Sequence, residues 1–184
     1  MQVILLNGSP RENGCTFTAL SEVASELEKN GVETEIAQFK TLGVGDCVGK
    51  FKAADGIIIG SPVYYASING ELGALLDKVF GASRDFRGKP GAAVVSARRG
   101  GTASAFDRLN KYFTICGMPV VSSQYWNNVH GNTPEEVRQD LEGMQIMRTL
   151  GRHMAWLLKC IEAGRAAGIT LPELEPRVGT NFIR

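Results

Sequence analysis

Apolar residues along the chain fall into two kinds of pattern. Val3–Leu6, Ile57–Ile59 and Gly91–Ser96 are short, almost wholly apolar runs, each closed by small or turn-forming residues: Asn7-Gly8, Gly60-Ser61-Pro62 and Arg98-Arg99-Gly100-Gly101. Runs of this kind are expected of strands buried on both faces of a parallel sheet. Val32–Phe39 alternates like a half-covered strand, and Pro119–Gln124 reads as the last strand. Between them, apolar residues recur at helical spacing. Phe17, Leu20, Val23, Ala24 and Leu27 predict a helix from about Thr16 to Lys29, closed by Asn30-Gly31. Further helices are predicted from about Asn69 to Phe80 and from Thr102 to Cys116. Thr133-Pro134-Glu135-Glu136 is a cap with proline at the first helical position, and predicts one long helix to about Ala163. Lys40–Lys50 is glycine-rich and reads as a loop, and the segment after Gly168 has no periodicity.

Five strands alternating with helices predict an α/β fold, a doubly wound parallel sheet in a three-layer α/β/α sandwich. The 184 residues suit one domain over residues 1–184, with 168–184 as an irregular tail. Composition adds little to this: 43% apolar, 21% charged and a formal net charge of +1. That charge gives no general attraction to nucleic acid. No apolar run is long enough to span a bilayer, and the apolar N-terminus is too short and lacks the basic flank of a signal peptide, so a cytoplasmic location is expected. Cys15, Cys47, Cys116 and Cys160 are scattered without a CxxC pair. Neither a disulfide framework nor a metal site is expected from them.

In an open parallel sheet, ligands sit beyond the carboxyl ends of the strands where strand order reverses. Three loops of unusual composition leave such ends. In Asn7–Thr16, Gly8 and Gly14 allow tight turns, while Ser9, Thr16 and the first helical amides can donate to phosphate oxygens, with Arg11 adding charge. The spacing fits neither GxGxxG nor a P-loop, and an ordinary turn capped by Thr16 is the alternative. In the second loop, Pro62, Val63, Tyr64 and Tyr65 offer a stiff, partly apolar wall for a flat aromatic ligand; adjacent tyrosines also serve as core or interface residues. In the third, Ala97, Arg98, Arg99, Gly100, Gly101 and Thr102 combine positive charge with close backbone approach, or form a solvated basic turn.

Taken together, Gly8-Ser9-Pro10-Arg11 with Asn13-Gly14-Cys15-Thr16, then Ala54–Tyr64, resemble the NADPH-dependent FMN reductase and iron–sulfur flavoprotein group of flavodoxin-like proteins. Tyr125–Gly131 looks like the same group, and the resemblance covers about residues 1–165. It implies FMN, with phosphate at Ser9, Arg11, Cys15 and Thr16 and ring contacts at Pro62, Val63, Tyr64, Tyr65 and Ala97–Thr102. It implies NAD(P)H as electron donor, a quinone, flavin or similar small acceptor, and a homodimer or homotetramer with sites near a subunit interface.

The sequence departs from the group at Cys15, where asparagine or serine is usual, and at Thr41–Val48, where members commonly carry several cysteines and this chain has Cys47 alone. A single thiolate there does not hold an iron–sulfur cluster. Because the flavin ring performs the chemistry, no general acid or base is assigned. His130 and His153 read as surface or structural residues, and Trp126 as a packing residue or a cover for a neighbouring flavin. Two other functions fit the same loops, a non-enzymatic flavodoxin-type electron carrier and a regulatory protein without redox turnover. Carriers are typically acidic, which this chain is not.

Overall fold

The computed structural model describes residues 1–83 and 85–182. Ile183 and Arg184, the end of the predicted tail, lie outside them. The order is β1 (Gln2–Asn7), α1 (Cys15–Lys29), β2 (Glu33–Gln38), α2 (Val44–Ala53), β3 (Gly56–Tyr64), β4 (Ser67–Ile68), α3 (Gly70–Ala82), β5 (Gly91–Ala97), α4 (Thr102–Ile115), β6 (Asn128–His130), α5 (Pro134–Gln139) and α6 (Leu141–Ala166). Five strands form a parallel sheet in the order β2-β1-β3-β5-β6, and β4 pairs antiparallel with the end of β3. This is the doubly wound order of a flavodoxin-like fold, with its reversal between β1 and β3.

The all-apolar strands follow from having two covered faces. Ile4, Leu6, Ile57, Ile59, Ala93 and Val95 face a core built with α2, α3 and α4. Val3, Leu5, Ile58, Ala92 and Val94 face the opposite core, built with α1, α5 and α6. Each strand therefore feeds both cores on alternate residues.

Four expectations are corrected. The segment read as a loop at Lys40–Lys50 holds the first seven residues of α2, which runs on to Ala53. Its helicity rests on two anchors one turn apart, Cys47 and Phe51, both buried. The Asp46 carboxylate accepts from Gly43 N–H at 3.2 Å, and Lys89 donates to the carbonyls of Phe51, Lys52 and Ala54 at the other end. Second, β3 does not end at Gly60-Ser61-Pro62. β1 stops opposite Gly60, so one edge of β3 is open beyond that point and tolerates Pro62, while Ser61 and Pro62 still pair with Val95 and Ser96. Third, Pro119–Gln124 is not the last strand. Val120 makes an isolated bridge to Gly91, the chain then leaves the sheet, and pairing resumes as Asn128–His130 beside Val95–Ala97.

Fourth, the long C-terminal helix is broken at Asp140. The Asp140 carboxylate accepts from Gly143 N–H at 2.9 Å, capping α6, and from His130 N–H at 2.7 Å, tying the break to the end of β6. A side chain that caps one helix and anchors a strand favours the break over continuation. Residues 169–182 are irregular, as expected. No helix among the described residues is long and apolar enough to cross a membrane.

Candidate functional site

The loops leaving β1, β3, β5 and β6 meet at the carboxyl edge of the sheet. They enclose a cleft of about 190 Å³ lined by Ser9, Arg11, Cys15, Thr16, Pro62, Val63, Tyr64, Ser96, Ala97, Arg98, Gly131 and Asn132. Nine of the residues singled out in the sequence are here. Tyr65 stands fully exposed at a hairpin tip, and Arg99, Gly100, Gly101 and Thr102 do not line the cleft.

Buried polar side chains shape the first loop. Asn7 is 1% exposed. Its amide accepts from Ser9 N–H at 3.1 Å and donates to Glu12 O at 3.0 Å, pulling the chain into a tight arch. Ser9 Oγ accepts from Arg11 N–H at 3.1 Å, and Ser9 O accepts from Gln38 Nε2 at 2.9 Å. Gly8 N–H donates to Gly60 O at 2.8 Å, and a Cβ on Gly8 would lie 2.5 Å from that oxygen, so only glycine lets the two loops approach. Asn69 closes the circuit by donating to Gly8 O at 2.9 Å while its own N–H donates to Ser61 Oγ at 3.0 Å.

The arch delivers the chain to the N-terminus of α1, which has no side-chain cap and no acidic residue in its first turn. An α-helix leaves its first amides without internal partners, and its dipole makes that end positive. Thr16 Oγ1 and Ser96 Oγ lie 2.8 Å apart, both buried. Whichever of the two donates, the other keeps a hydrogen free to donate elsewhere. Arg11 and Arg98 add charge, and among the described residues no carboxylate lines the cleft. Burial pushes the Cys15 thiol above its ordinary range, and its Sγ donates to Gly131 O at 3.6 Å, so Cys15 lines the cleft as a neutral thiol.

Across the cleft, Tyr65 and Ala66 occupy the left-handed region at φ 48° and 61°. They form the two-residue turn between β3 and β4, a position that favours Asn-Gly. Each non-glycine residue there costs on the order of 1 kcal/mol. The turn rests on Gly101, at φ 91°, where a Cβ would come within 2.8 Å of Ala66 Cα and Val63 Cγ1. Gly101 thus supports the hairpin that carries Val63 and Tyr64.

Residues 1–133 match the family described as NADPH-dependent FMN reductase. The chain belongs to that family. Among similar proteins of this NADPH-dependent FMN reductase family member are an iron-sulfur flavoprotein of Methanocaldococcus jannaschii, 29% identical over 88% of this chain and 100% of the relative. A second, from Methanosarcina thermophila, is 27% identical over 90% and 99% of the two chains. In three dimensions, a structure described as flavone reductase superposes with a TM-score of 0.75, at 17% identity, over 88% of this chain and 64% of the other. Membership and relatives together place this chain among flavodoxin-like, flavin-dependent oxidoreductases.

An iron–sulfur cluster, which the relatives' names carry, does not fit the residues present here. Cys47 is fully buried on α2, and burial, with Asp46 adding to it, pushes its thiol up to about 11. Among the described residues, no group of three His, Cys, Asp or Glu side chains is placed to hold a metal ion.

The sequence reading missed Ser96, Asn132 and the roles of Asn7, Gln38 and Asn69. Asn7 carried a local signal, a polar residue directly after an apolar strand. Ser96 carried none, because its partner Thr16 is eighty residues away in the chain.

Proposed function

We propose that the cleft binds FMN and that the protein is an NAD(P)H-dependent oxidoreductase passing electrons to a quinone, a flavin or a similar small acceptor. The observation that carries the reading is the uncapped α1 N-terminus facing a cleft lined by two arginines, three buried hydroxyls (Ser9, Thr16 and Ser96) and, among the described residues, no carboxylate. That donor set suits a dianionic phosphate. A cleft of about 190 Å³ is below the usual size for an enclosed ligand of FMN's size, which suits burial of the phosphate end with the ring at the open mouth.

Ser9, Arg11, Cys15 and Thr16 would hold the phosphate, with the amides of Cys15 and Thr16 carrying more of the contact than the Cys15 thiol. Pro62, Val63 and Tyr64 would flank the ring on one side, with Ala97 and Arg98 along another edge. Bound there, FMN supplies hydride acceptance and one- or two-electron transfer. The chain's share is position and charge. Arg98 would favour negative charge on the nearby ring edge, Tyr64 shields one face, and the arch of residues 7–14 fixes the phosphate.

Binding of FMN and riboflavin tests the phosphate assignment. FMN should bind about 100-fold more tightly, the worth of two charge-assisted contacts, and equal affinities overturn the assignment. Anaerobic titration of the FMN-loaded protein with NADH and NADPH, followed at the flavin absorbance, tests the reaction. Bleaching by either nucleotide alone supports the enzyme, whereas reduction only through a partner reductase makes the protein an electron carrier.

A further inference from the structure

The hairpin that walls the cleft is strained at its tip, and its own packing does not offset the strain. Tyr65 and Ala66 sit at φ 48° and 61° in a two-residue turn whose geometry favours Asn-Gly. A bulky side chain in the left-handed region is rare. Strain of this kind gathers at functional sites, where another requirement holds it in place. Nothing within the molecule stabilises the Tyr65 ring. It is fully exposed, and among the described residues it makes no hydrogen bond and no contact with another aromatic ring. Single exposed aromatics are ordinary on a surface. This one differs in combining strain with a place one residue beyond Tyr64, which lines the cleft.

The turn after β5 meets this hairpin directly. A Cβ on Gly101 would lie 2.8 Å from Ala66 Cα. Arg99 is two residues from Gly101, and Tyr65 is next to Ala66, so the Cα atoms of Arg99 and Tyr65 are no more than about 16 Å apart. Both side chains are long, and a two-ring ligand with one anionic substituent spans the gap between a phenol ring and a guanidinium. Arg98 lines the cleft, whereas Arg99 is exposed and does not. Among the described residues Arg99 pairs with no carboxylate.

We propose that Tyr65 and Arg99 form a binding station for the electron acceptor just outside the cleft, and that the acceptor they select is a planar quinone carrying a negative charge. The proposal rests on the oxidoreductase reading above. A cleft of about 190 Å³ takes the phosphate end of FMN and leaves the ring at the mouth, so an acceptor is met outside the cleft, beside the hairpin tip. There the Tyr65 ring offers a stacking face, and the planar Arg99 guanidinium offers charge. Tyrosine in place of asparagine then makes sense at the turn, because the tip gives up local stability to carry a ring. Reduction of a quinone to its hydroquinone takes two electrons and two protons. NAD(P)H supplies both electrons and one proton as a hydride equivalent, and water supplies the other proton. The station has only to hold the acceptor.

Calorimetry of the FMN-loaded protein with naphthalene sulfonate, which has the rings and the charge but is not reducible, tests the binding. Wild type should bind it. Tyr65→Leu and Arg99→Gln should each bind it about threefold more weakly or worse, the size of one stacking or exposed charge contact. Tyr65→Phe should match wild type, because the ring is used and the hydroxyl is not. FMN affinity should be the same in all four proteins. Tyr65→Asn with Ala66→Gly should raise the urea midpoint of the ligand-free protein and weaken naphthalene sulfonate binding as Tyr65→Leu does. The reaction is tested without nucleotide, by reducing the FMN-loaded protein with dithionite and mixing it anaerobically with naphthoquinone or naphthoquinone sulfonate. Tyr65→Leu should raise the half-saturating concentration of both. Arg99→Gln should raise that of the sulfonate alone, and high salt should erase the difference. Unchanged naphthalene sulfonate binding in Tyr65→Leu, equal losses for both quinones in Arg99→Gln, or a urea midpoint that does not rise each overturns the proposal. Any of these with FMN bound and bleached by nucleotide strikes the proposal alone; a protein that binds no FMN strikes the oxidoreductase reading and the proposal together.

Discussion

Thr16→Val separates what the hydroxyl pair beneath the cleft does for the fold from what it does for a ligand. Thr16 is 1% and Ser96 3% exposed, and their oxygens lie 2.8 Å apart. Removing one hydroxyl leaves Ser96 buried without its partner, a cost of about 1–3 kcal/mol. Removing both, in Thr16→Val with Ser96→Ala, replaces a satisfied pair with apolar groups, so the double variant should recover to within about 1 kcal/mol of wild type. Ligand affinity should not follow stability. The pair shares one hydrogen internally and offers the other to the cleft, and only the double variant lacks both. FMN affinity should therefore fall about tenfold or more in the double variant, roughly 1.4 kcal/mol, while riboflavin affinity stays constant. Urea titration of ligand-free protein gives the stabilities, free of stabilisation by bound ligand. Flavin fluorescence titration gives the affinities. The reasoning is refuted if the double variant is less stable than Thr16→Val, or if it binds FMN as wild type does.

Three further outcomes are expected. Lys89→Met removes the cation that donates to three carbonyls at the end of α2, and should cost about 2 kcal/mol in urea titration, with faster hydrogen exchange at residues 51–54; a loss below about 0.5 kcal/mol removes Lys89 as a helix cap. The buried Glu26 carboxylate accepts from Arg152 at 2.8 Å, and that hydrogen bond, with help from Lys29, holds its pKa below 4.5. A lowered folded pKa means stability that is present above 4.5 and is lost as pH falls through the folded value, so Glu26→Gln should flatten the acid limb of a stability–pH curve below 4.5 and leave its slope near pH 7 unchanged. Native thiol labelling should be fastest at exposed Cys160, slow at Cys15 and slower still with FMN bound, and absent at buried Cys47 and Cys116 until unfolding; labelling of Cys15 indifferent to FMN speaks against its place in the cleft.

Local composition carried much of the architecture. A strand covered on both faces has apolar residues at every position, so Val3–Leu6, Ile57–Ile59 and Gly91–Ser96 declared a parallel sheet without reference to anything distant. The same holds for the loops at the reversal of strand order, because glycine, proline and adjacent polar donors mark the turn where they stand. α2 was hidden because its helicity depends on the burial of Cys47 and Phe51 and on a lysine from the β5 side of the chain, and neither the burial nor the lysine shows in the glycine-rich segment Lys40–Lys50. The break at Asp140 depends on a bond to His130, and the displaced β6 on where β5 has room to pair.

What tertiary structure alone decided was which donors converge. Asn7, Asn69 and Ser96 matter through partners brought from other elements, and Gly101 through the hairpin resting on it. The sequence determined the sheet and the loops that leave it, since burial and turn geometry act on neighbours in the chain. Only folding determined which hydroxyl meets which, because those energies arise between residues the chain keeps far apart.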